Sequence, residues 1–259
     1  MISHDINDYY LKSPNFSICV PGVCNAACKF CYNKGYVCNY PNYKYLKSLE
    51  NVLNELPDFI TQVSITGYEP TISPIFTDVL NLVHDYNFNK VVLNTNGAAF
   101  IKYTKEISRS VDYVNLSRHH YQDNINKLIF GGMYKLTTYD IDYICGITNT
   151  TLVSIIDEMT PDVYIDLYLD YALEMNASAV TFRQLAGNIH FLPIVKTRDC
   201  VETYNDLYCR EINDDYFGLP YKFKASVLNP GKECDKIYEL IFKQDGVLDT
   251  KWGYLYANE

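Results

Sequence analysis

From Phe16 to Leu185 the chain repeats one pattern: a short β-rich run, then a stretch whose apolar residues recur at helical spacing. Phe16-Ser-Ile-Cys-Val20 reads as a first strand, Gln62–Thr66 as a second ended by Gly67, Lys90–Asn94 as a third and Tyr113–Ser117 as a fourth. The same reading puts a fifth strand at Asp142–Ile147 and a sixth at Ala179–Leu185. Helices are expected at Leu46–Leu56, Ile75–Tyr86 and Ala98–Ser108, then at Gln122–Phe130, stopped by Gly131-Gly132. Two more are expected at Thr151–Glu158 and Asp162–Met175, split by Pro161. Strands alternating with helices make an α/β fold, because the helices cover the faces of a parallel sheet.

Six strand–helix units are too few to close an eight-stranded barrel. The expected architecture is a partial (β/α)6 TIM-like barrel with a C-terminal β-rich extension. Its expected parts are an N-terminal extension over 1–15, the barrel over 16–187, and a helix and β-hairpin over 188–259 that close it. Tyr221–Tyr256 contains β-rich runs with a turn at Asp245-Gly246, which predicts the hairpin. The 259 residues suffice for a core without disulfides.

A net charge of −9 argues against a broad nucleic-acid surface, which needs basic residues to neutralise phosphates. The polar opening, Met1 to Tyr10, does not read as a signal peptide, and no apolar run reaches membrane-spanning length. The expectation is a cytoplasmic protein without membrane contact.

Nine cysteines stand at 19, 24, 28, 31, 38, 145, 200, 209 and 234, three of them inside Cys24-Asn-Ala-Ala-Cys28-Lys-Phe-Cys31. Three thiolates on one loop can reach three irons of a [4Fe–4S] cube and leave the fourth open for a ligand, which suits catalysis better than electron carriage. Zinc, with a fourth ligand from His4, Cys19 or Cys38, and three unconnected buried thiols are the other readings this spacing allows.

Cys24-x3-Cys28-x2-Cys31, with aromatic Phe30 before the last cysteine and a strand before the first, resembles the signature loop of the radical S-adenosylmethionine (SAM) superfamily. The resemblance implies that Cys24, Cys28 and Cys31 ligate the cluster, that SAM chelates the open iron, and that one electron cleaves SAM to a 5′-deoxyadenosyl radical. It implies further that Phe30 lies against the adenine. Gly67-Tyr-Glu-Pro70 corresponds to a Gly-Gly-Glu-Pro element that binds the SAM amino group, with Tyr68 in place of the second glycine and Glu69 following. Asn96, in Asn94-Thr-Asn-Gly97, and Ser117, at the end of the fourth strand, match positions near SAM. Gly146-Ile147 and Thr181-Phe-Arg-Gln-Leu185 fall at the fifth and sixth strands, where relatives contact adenine and carboxylate, with Arg183 and Leu185 the candidate ligands. Taken singly, these short elements also read as turns, caps or outward-facing side chains. An electron donor such as flavodoxin or ferredoxin is implied as a partner.

Arg118-His119-His120-Tyr121 follows the fourth strand, and Arg118, His119 and His120 are the candidate catalytic or substrate-binding residues. His84 reads as structural or exposed, and His190 as a possible addition to the pocket. Cys19, Cys38, Cys145, Cys200, Cys209 and Cys234 form no recognisable second-cluster framework and read as buried thiols. Trp252, Tyr254 and Tyr256 are candidates to cap the pocket or fill the core. The short segment before the first strand argues against a separate peptide-recognition domain. The expected reaction is therefore hydrogen abstraction from a small-molecule or modified-nucleoside-like substrate. The alternatives are modification of a peptide or protein side chain, and a non-catalytic iron–sulfur or zinc protein.

Overall fold

The computed structural model describes residues 15–31, 38–157, 159–185, 201–205, 209–226 and 240–250, with side chains undescribed at 162, 201–205, 209–212 and 225–226. The chain forms two units, Met1–Val114 with Cys234–Glu259, and Asn115–Glu233.

In the first unit β1 (Asn15–Val20), β2 (Gln62–Gly67) and β3 (Lys90–Thr95) pair in parallel. β10 (Leu240–Phe242) adds parallel to the free side of β1, and β11 (Leu248–Asp249) pairs antiparallel with β10. The expected hairpin is present: Gly246 turns it at φ 77°, where a Cβ would lie 2.7 Å from the Tyr40 ring. Period-2 alternation buries Val63, Ile65, Val91 and Leu93 on one face, while Ser64, Thr66 and Asn94 on the other stay half-buried. α1 (Asn42–Asn54) buries Tyr45, Leu49 and Leu53, spaced four apart on one helical face, and Tyr45 packs on Phe242 at 5.0 Å. α2 (Phe76–Tyr86) buries Phe76, Val79, Leu80 and Val83 and ends on left-handed Asn87. Each such buried aliphatic side chain contributes about 1.5–3 kcal/mol. α3 (Thr104–Ser110) follows β3 through a 3₁₀ turn at Phe100–Tyr103. β4 (Tyr113–Ser117) crosses the boundary between the units.

In the second unit β5 (Asn149–Ile156), β6 (Ala179–Gln184) and β9 (Leu219–Ser226) run parallel. β8 (Cys209–Tyr216) and β7 (Val201–Asn205) extend that sheet antiparallel beyond β9. The β8–β9 turn sits on Phe217 and Gly218, both with positive φ, the geometry of a tight two-residue hairpin. α4 (Asp123–Phe130), α5 (Thr138–Ile147) and α6 (Asp162–Glu174) complete the unit. α6 lies on the face of β5 and β6 that bears Ser154 and Phe182, because Tyr164 Oη is 2.7 Å from Ser154 Oγ and Tyr168 packs edge-on to Phe182.

The α/β class and the β-rich extension agree with expectation, but two elements are exchanged. The residues expected as a fifth strand, Asp142–Ile147, are the end of α5, and the expected helix at Thr151–Glu158 is largely β5. Ile141, Ile144 and Cys145 are buried at helical spacing, and Thr137 and Asp140 form a reciprocal capping box that starts the helix four residues before Asp142. Along β5, Leu152, Ser154 and Ile156 are buried at period 2. Gly146-Ile147 accordingly sits in the last turn of α5 and not on a strand. Among the described residues no helix is long and apolar enough to cross a membrane.

Candidate active site

Three strand ends of the first unit, those of β1, β2 and β3, carry the cysteine loop, the Gly67–Pro70 turn and Asn96. The C-terminal strand ends are where barrel enzymes assemble their chemistry.

The loop leaves β1 at Val20, and Ser73 Oγ fixes its first bend by donating to the Pro21 carbonyl at 2.7 Å. Cys24, Cys28 and Cys31 are half-buried cysteines. The Cys31 N–H donates to the Cys28 carbonyl at 3.2 Å, closing a turn between them. Cys24 Sγ accepts from the Ala26 N–H at 3.4 Å and from Asn96 Nδ2 at 3.7 Å. Burial pushes the Cys24 and Cys28 thiols upward, Cys28 to about 11, and the charges of neighbouring thiols add to the rise. Bound metal offsets such a rise by holding the sulfurs as thiolates. Among the described residues no three His, Cys, Asp or Glu side chains converge on one point as a single ion requires. A cubane asks for a different arrangement, each thiolate on its own iron. The donor set fits such a cluster.

Gly67 is dictated by backbone geometry. Its φ is 129°, and a Cβ there would lie 2.6 Å from the Val20 carbonyl oxygen. Two residues on, Glu69 is enclosed, and its carboxylate organises the next strand end. Oε1 accepts from Thr71 N–H (3.1 Å), Thr71 Oγ1 (2.6 Å) and Thr95 Oγ1 (2.5 Å), and Oε2 from the Asn96 N–H (2.6 Å). The two hydroxyls that donate to Glu69 accept in turn, Thr95 from the Gly97 N–H at 2.9 Å and Thr71 from the Ala99 N–H at 3.1 Å. Asn96 Oδ1 takes the Ala98 N–H at 3.0 Å. Four consecutive amides, 96 to 99, are thus satisfied directly or at one remove by this network. Burial pushes the Glu69 carboxyl upward, and the four donors pull the other way. The Glu69 carboxylate thus serves the scaffold, tying the end of β2 to the end of β3.

In the second unit Arg118 is fully enclosed. Its Nη2 pairs with Asp123 Oδ1 at 2.5 Å and donates to the Tyr121 carbonyl at 3.0 Å, and its guanidinium lies 5.4 Å from the Tyr171 ring centroid. Asp123 also accepts the Thr138 N–H and hydroxyl, and these bonds hold its carboxyl below the ordinary range against the pull of burial. His119 is buried and stacked on Phe130 at 4.7 Å. Its Nδ1 accepts the Ile155 N–H at 3.3 Å, so Nε2 carries the proton. Burial, with Arg118 beside it, lowers its pKa to about 3 and keeps the ring neutral. The expected rim position fits only His120, which is half-buried between Tyr121 and Tyr164. His120 Nδ1 accepts the Gln122 N–H at 3.0 Å, and burial with Arg118 lowers its pKa also.

Phe30, Tyr68 and Ser117 are half-buried. Arg183 is exposed on the face of β6 away from Phe182 and α6, while Leu185 donates its N–H to the Ile156 carbonyl at 2.9 Å. His84 is exposed, Cys19 and Cys145 are buried, and the Cys38 thiol donates to the Gln244 carbonyl at 3.2 Å. His4, His190, Cys200, Cys234, Trp252, Tyr254, Tyr256 and the Cys209 side chain lie outside the described residues. Sequence reasoning passed over Thr71, Thr95, Asp123 and Asn126. The last takes the His119 and His120 N–H groups on Oδ1, at 2.8 and 3.2 Å.

The model of the Radical SAM superfamily matches residues 18–139. No curated protein matches. Among solved structures, Streptococcus suis SuiB bound to precursor peptide SuiA aligns with 97% of this chain and 62% of its own at 14% identity and a TM-score of 0.68. The same protein bound to S-adenosylmethionine aligns with 95% of this chain and 60% of its own at 15% identity and a TM-score of 0.63. Native anSMEcpe with bound AdoMet and Cp18Cys peptide aligns with 66% of this chain and 51% of its own at 19% identity and a TM-score of 0.51. At these identities the likeness is one of fold, and it bears out the TIM-like partial barrel. The chain spans about three-fifths of the length of the SuiB structures it matches.

Proposed function

We propose that the chain is a radical SAM enzyme, since residues 18–139 match that superfamily's model, and that Cys24, Cys28 and Cys31 hold the [4Fe–4S] cluster its members use with SAM, a reductant and a substrate. The observation that carries this reading is the loop of three cysteines within eight residues, pinned to the ends of β2 and β3 by Ser73 and Asn96. When bound, the cluster supplies the electron that cleaves SAM to a 5′-deoxyadenosyl radical. Gly67, Tyr68 and Glu69 offer main-chain groups to the SAM amino group, and Phe30 offers a ring face to its adenine. For Ser117, Arg183 and Leu185 the family resemblance alone suggests a SAM contact. His120, neutral with its proton on Nε2, is the proposed substrate-side donor, and its loop is held by Arg118 at the Tyr121 carbonyl and by His119 at the Ile155 N–H.

For the substrate, the peptides bound in the SuiB and anSMEcpe structures favour a peptide side chain over a small molecule or nucleoside. Hydrogen abstraction from such a side chain, by a radical shielded from water, is the proposed reaction.

Anaerobic reconstitution tests the core of this. About four irons per chain and 5′-deoxyadenosine release with SAM and dithionite are expected, and Cys28→Ala should lose both. Retention of either by that variant would remove the ligand assignment.

A further inference from the structure

The Asn96 side chain is held at every polar atom. Glu69 Oε2 fixes its backbone at 2.6 Å, and the Ala98 N–H donates to Oδ1 at 3.0 Å. That second contact orients the amide, leaving the two hydrogens of Nδ2 for Asn25 Oδ1 at 2.9 Å and Cys24 Sγ at 3.7 Å. The residue is 6% exposed, so the donor side of the contact is withdrawn from water, while Cys24 is half-buried. The resemblance puts Asn96 on SAM, whereas its donor hydrogens face the cysteine loop.

We infer that Asn96 is a positioning residue that donates an N–H···S hydrogen bond to Cys24 and thereby raises the reduction potential of the cluster. The inference rests on Cys24 being a cluster ligand. An N–H dipole aimed at a ligating thiolate withdraws electron density from the sulfur and stabilises the form that carries the extra electron. The Ala26 N–H reaches the same sulfur from within the loop, but it follows the loop wherever the loop goes. Asn96 instead acts from the end of β3, fixed by the Glu69 network. One side chain therefore couples the strand scaffold to the electronic state of the site, and it does so before SAM arrives.

The test compares wild type with Asn96→Leu, which removes the donor without adding charge, and Asn96→Asp, which keeps the oxygen facing Ala98. Each reconstituted protein is titrated by EPR without SAM, and SAM affinity is measured separately. Both variants should keep about four irons, and their midpoint potentials should shift to more negative values. Unchanged potentials in both variants, with weakened SAM binding, would assign Asn96 to SAM and overturn the inference. Loss of the cluster from both, with wild type loaded, would make Asn96 a fastener of the loop alone and overturn it equally. A wild-type chain that takes up no cluster would instead overturn the cysteine assignment, and this inference with it.

Discussion

Removing Asp123 should destabilise the protein more than removing Arg118, although arginine is the larger side chain. The reason lies in where each charge would be stranded. Arg118 is 0% exposed at its side chain, and Asp123 is 44% exposed. In Asp123→Asn the guanidinium stays enclosed without its carboxylate, and breaking a buried pair in that way costs about 3–5 kcal/mol. The new amide must also turn a donor toward either Arg118 or the Thr138 N–H, each of which now donates to Asp123. In Arg118→Met the carboxylate left behind is half in water and keeps both Thr138 contacts. Met fills much of the arginine stem, and Arg118 Nε and Nη1, buried without hydrogen-bond partners, disappear. What remains is a lost charge-assisted bond and the unpaired Tyr121 carbonyl, about 1–2 kcal/mol in all. Urea unfolding of the three proteins at pH 7 should rank them wild type, Arg118→Met, Asp123→Asn. At an m-value of about 3 kcal/mol/M, the midpoints should fall by about 0.5 M and about 1–1.5 M. The double variant should lie close to Arg118→Met. An Arg118→Met protein as destabilised as Asp123→Asn would show that the interior solvates a bare guanidinium, and the argument from enclosure would fail.

Gly67→Ala should lower stability by more than about 2 kcal/mol, since it combines a positive φ with a backbone collision; a thermal melt within a degree or two of wild type would contradict the geometry. His119 gives a pH signature. Its folded pKa, about 3, lies below the unfolded value, so the unfolded chain takes up the proton first and stability is lost as pH falls from about 6.5 toward about 3, by up to about 1.4 kcal/mol per pH unit. His119→Phe, which keeps an aromatic ring against Phe130, should flatten that part of the unfolding curve; an unchanged slope would remove the assignment. Asp123 acts in a lower window: its carboxyl is held below the usual range, so its contribution is present above about pH 4 and lost as pH falls through the folded value. Asp123→Asn should lack that acid-limb loss.

The α/β alternation was legible because strand and helix periods differ and most elements obey one or the other. It failed at Asp142–Ile147, whose isoleucines and tyrosine read as β-rich although the Thr137–Asp140 cap already committed the segment to a helix. The cysteine loop was legible because three cysteines within eight residues stay close in any fold. The enclosure of Arg118 and His119 was not, since it depends on Asp123, Asn126, Phe130 and Tyr168, which the fold alone brings round the loop. A basic pair of residues after a strand looks the same in sequence whether it faces a ligand or a core.

The departure of Gly67-Tyr-Glu-Pro70 from a double glycine has a physical explanation in the same terms. Gly67 meets the Val20 backbone and has a positive φ, so no side chain can replace it there. Tyr68 is not among the residues with positive φ, and its side chain is half-buried, so position 68 tolerates a Cβ. Glu69 is engaged by Thr71, Thr95 and Asn96, and Pro70 opens the 3₁₀ turn where a missing N–H leaves no donor unpaired. Three of the four letters are therefore demanded by the scaffold. Position 68 carries neither the positive φ nor the backbone collision of position 67, which is why a tyrosine can stand there without dissolving the turn.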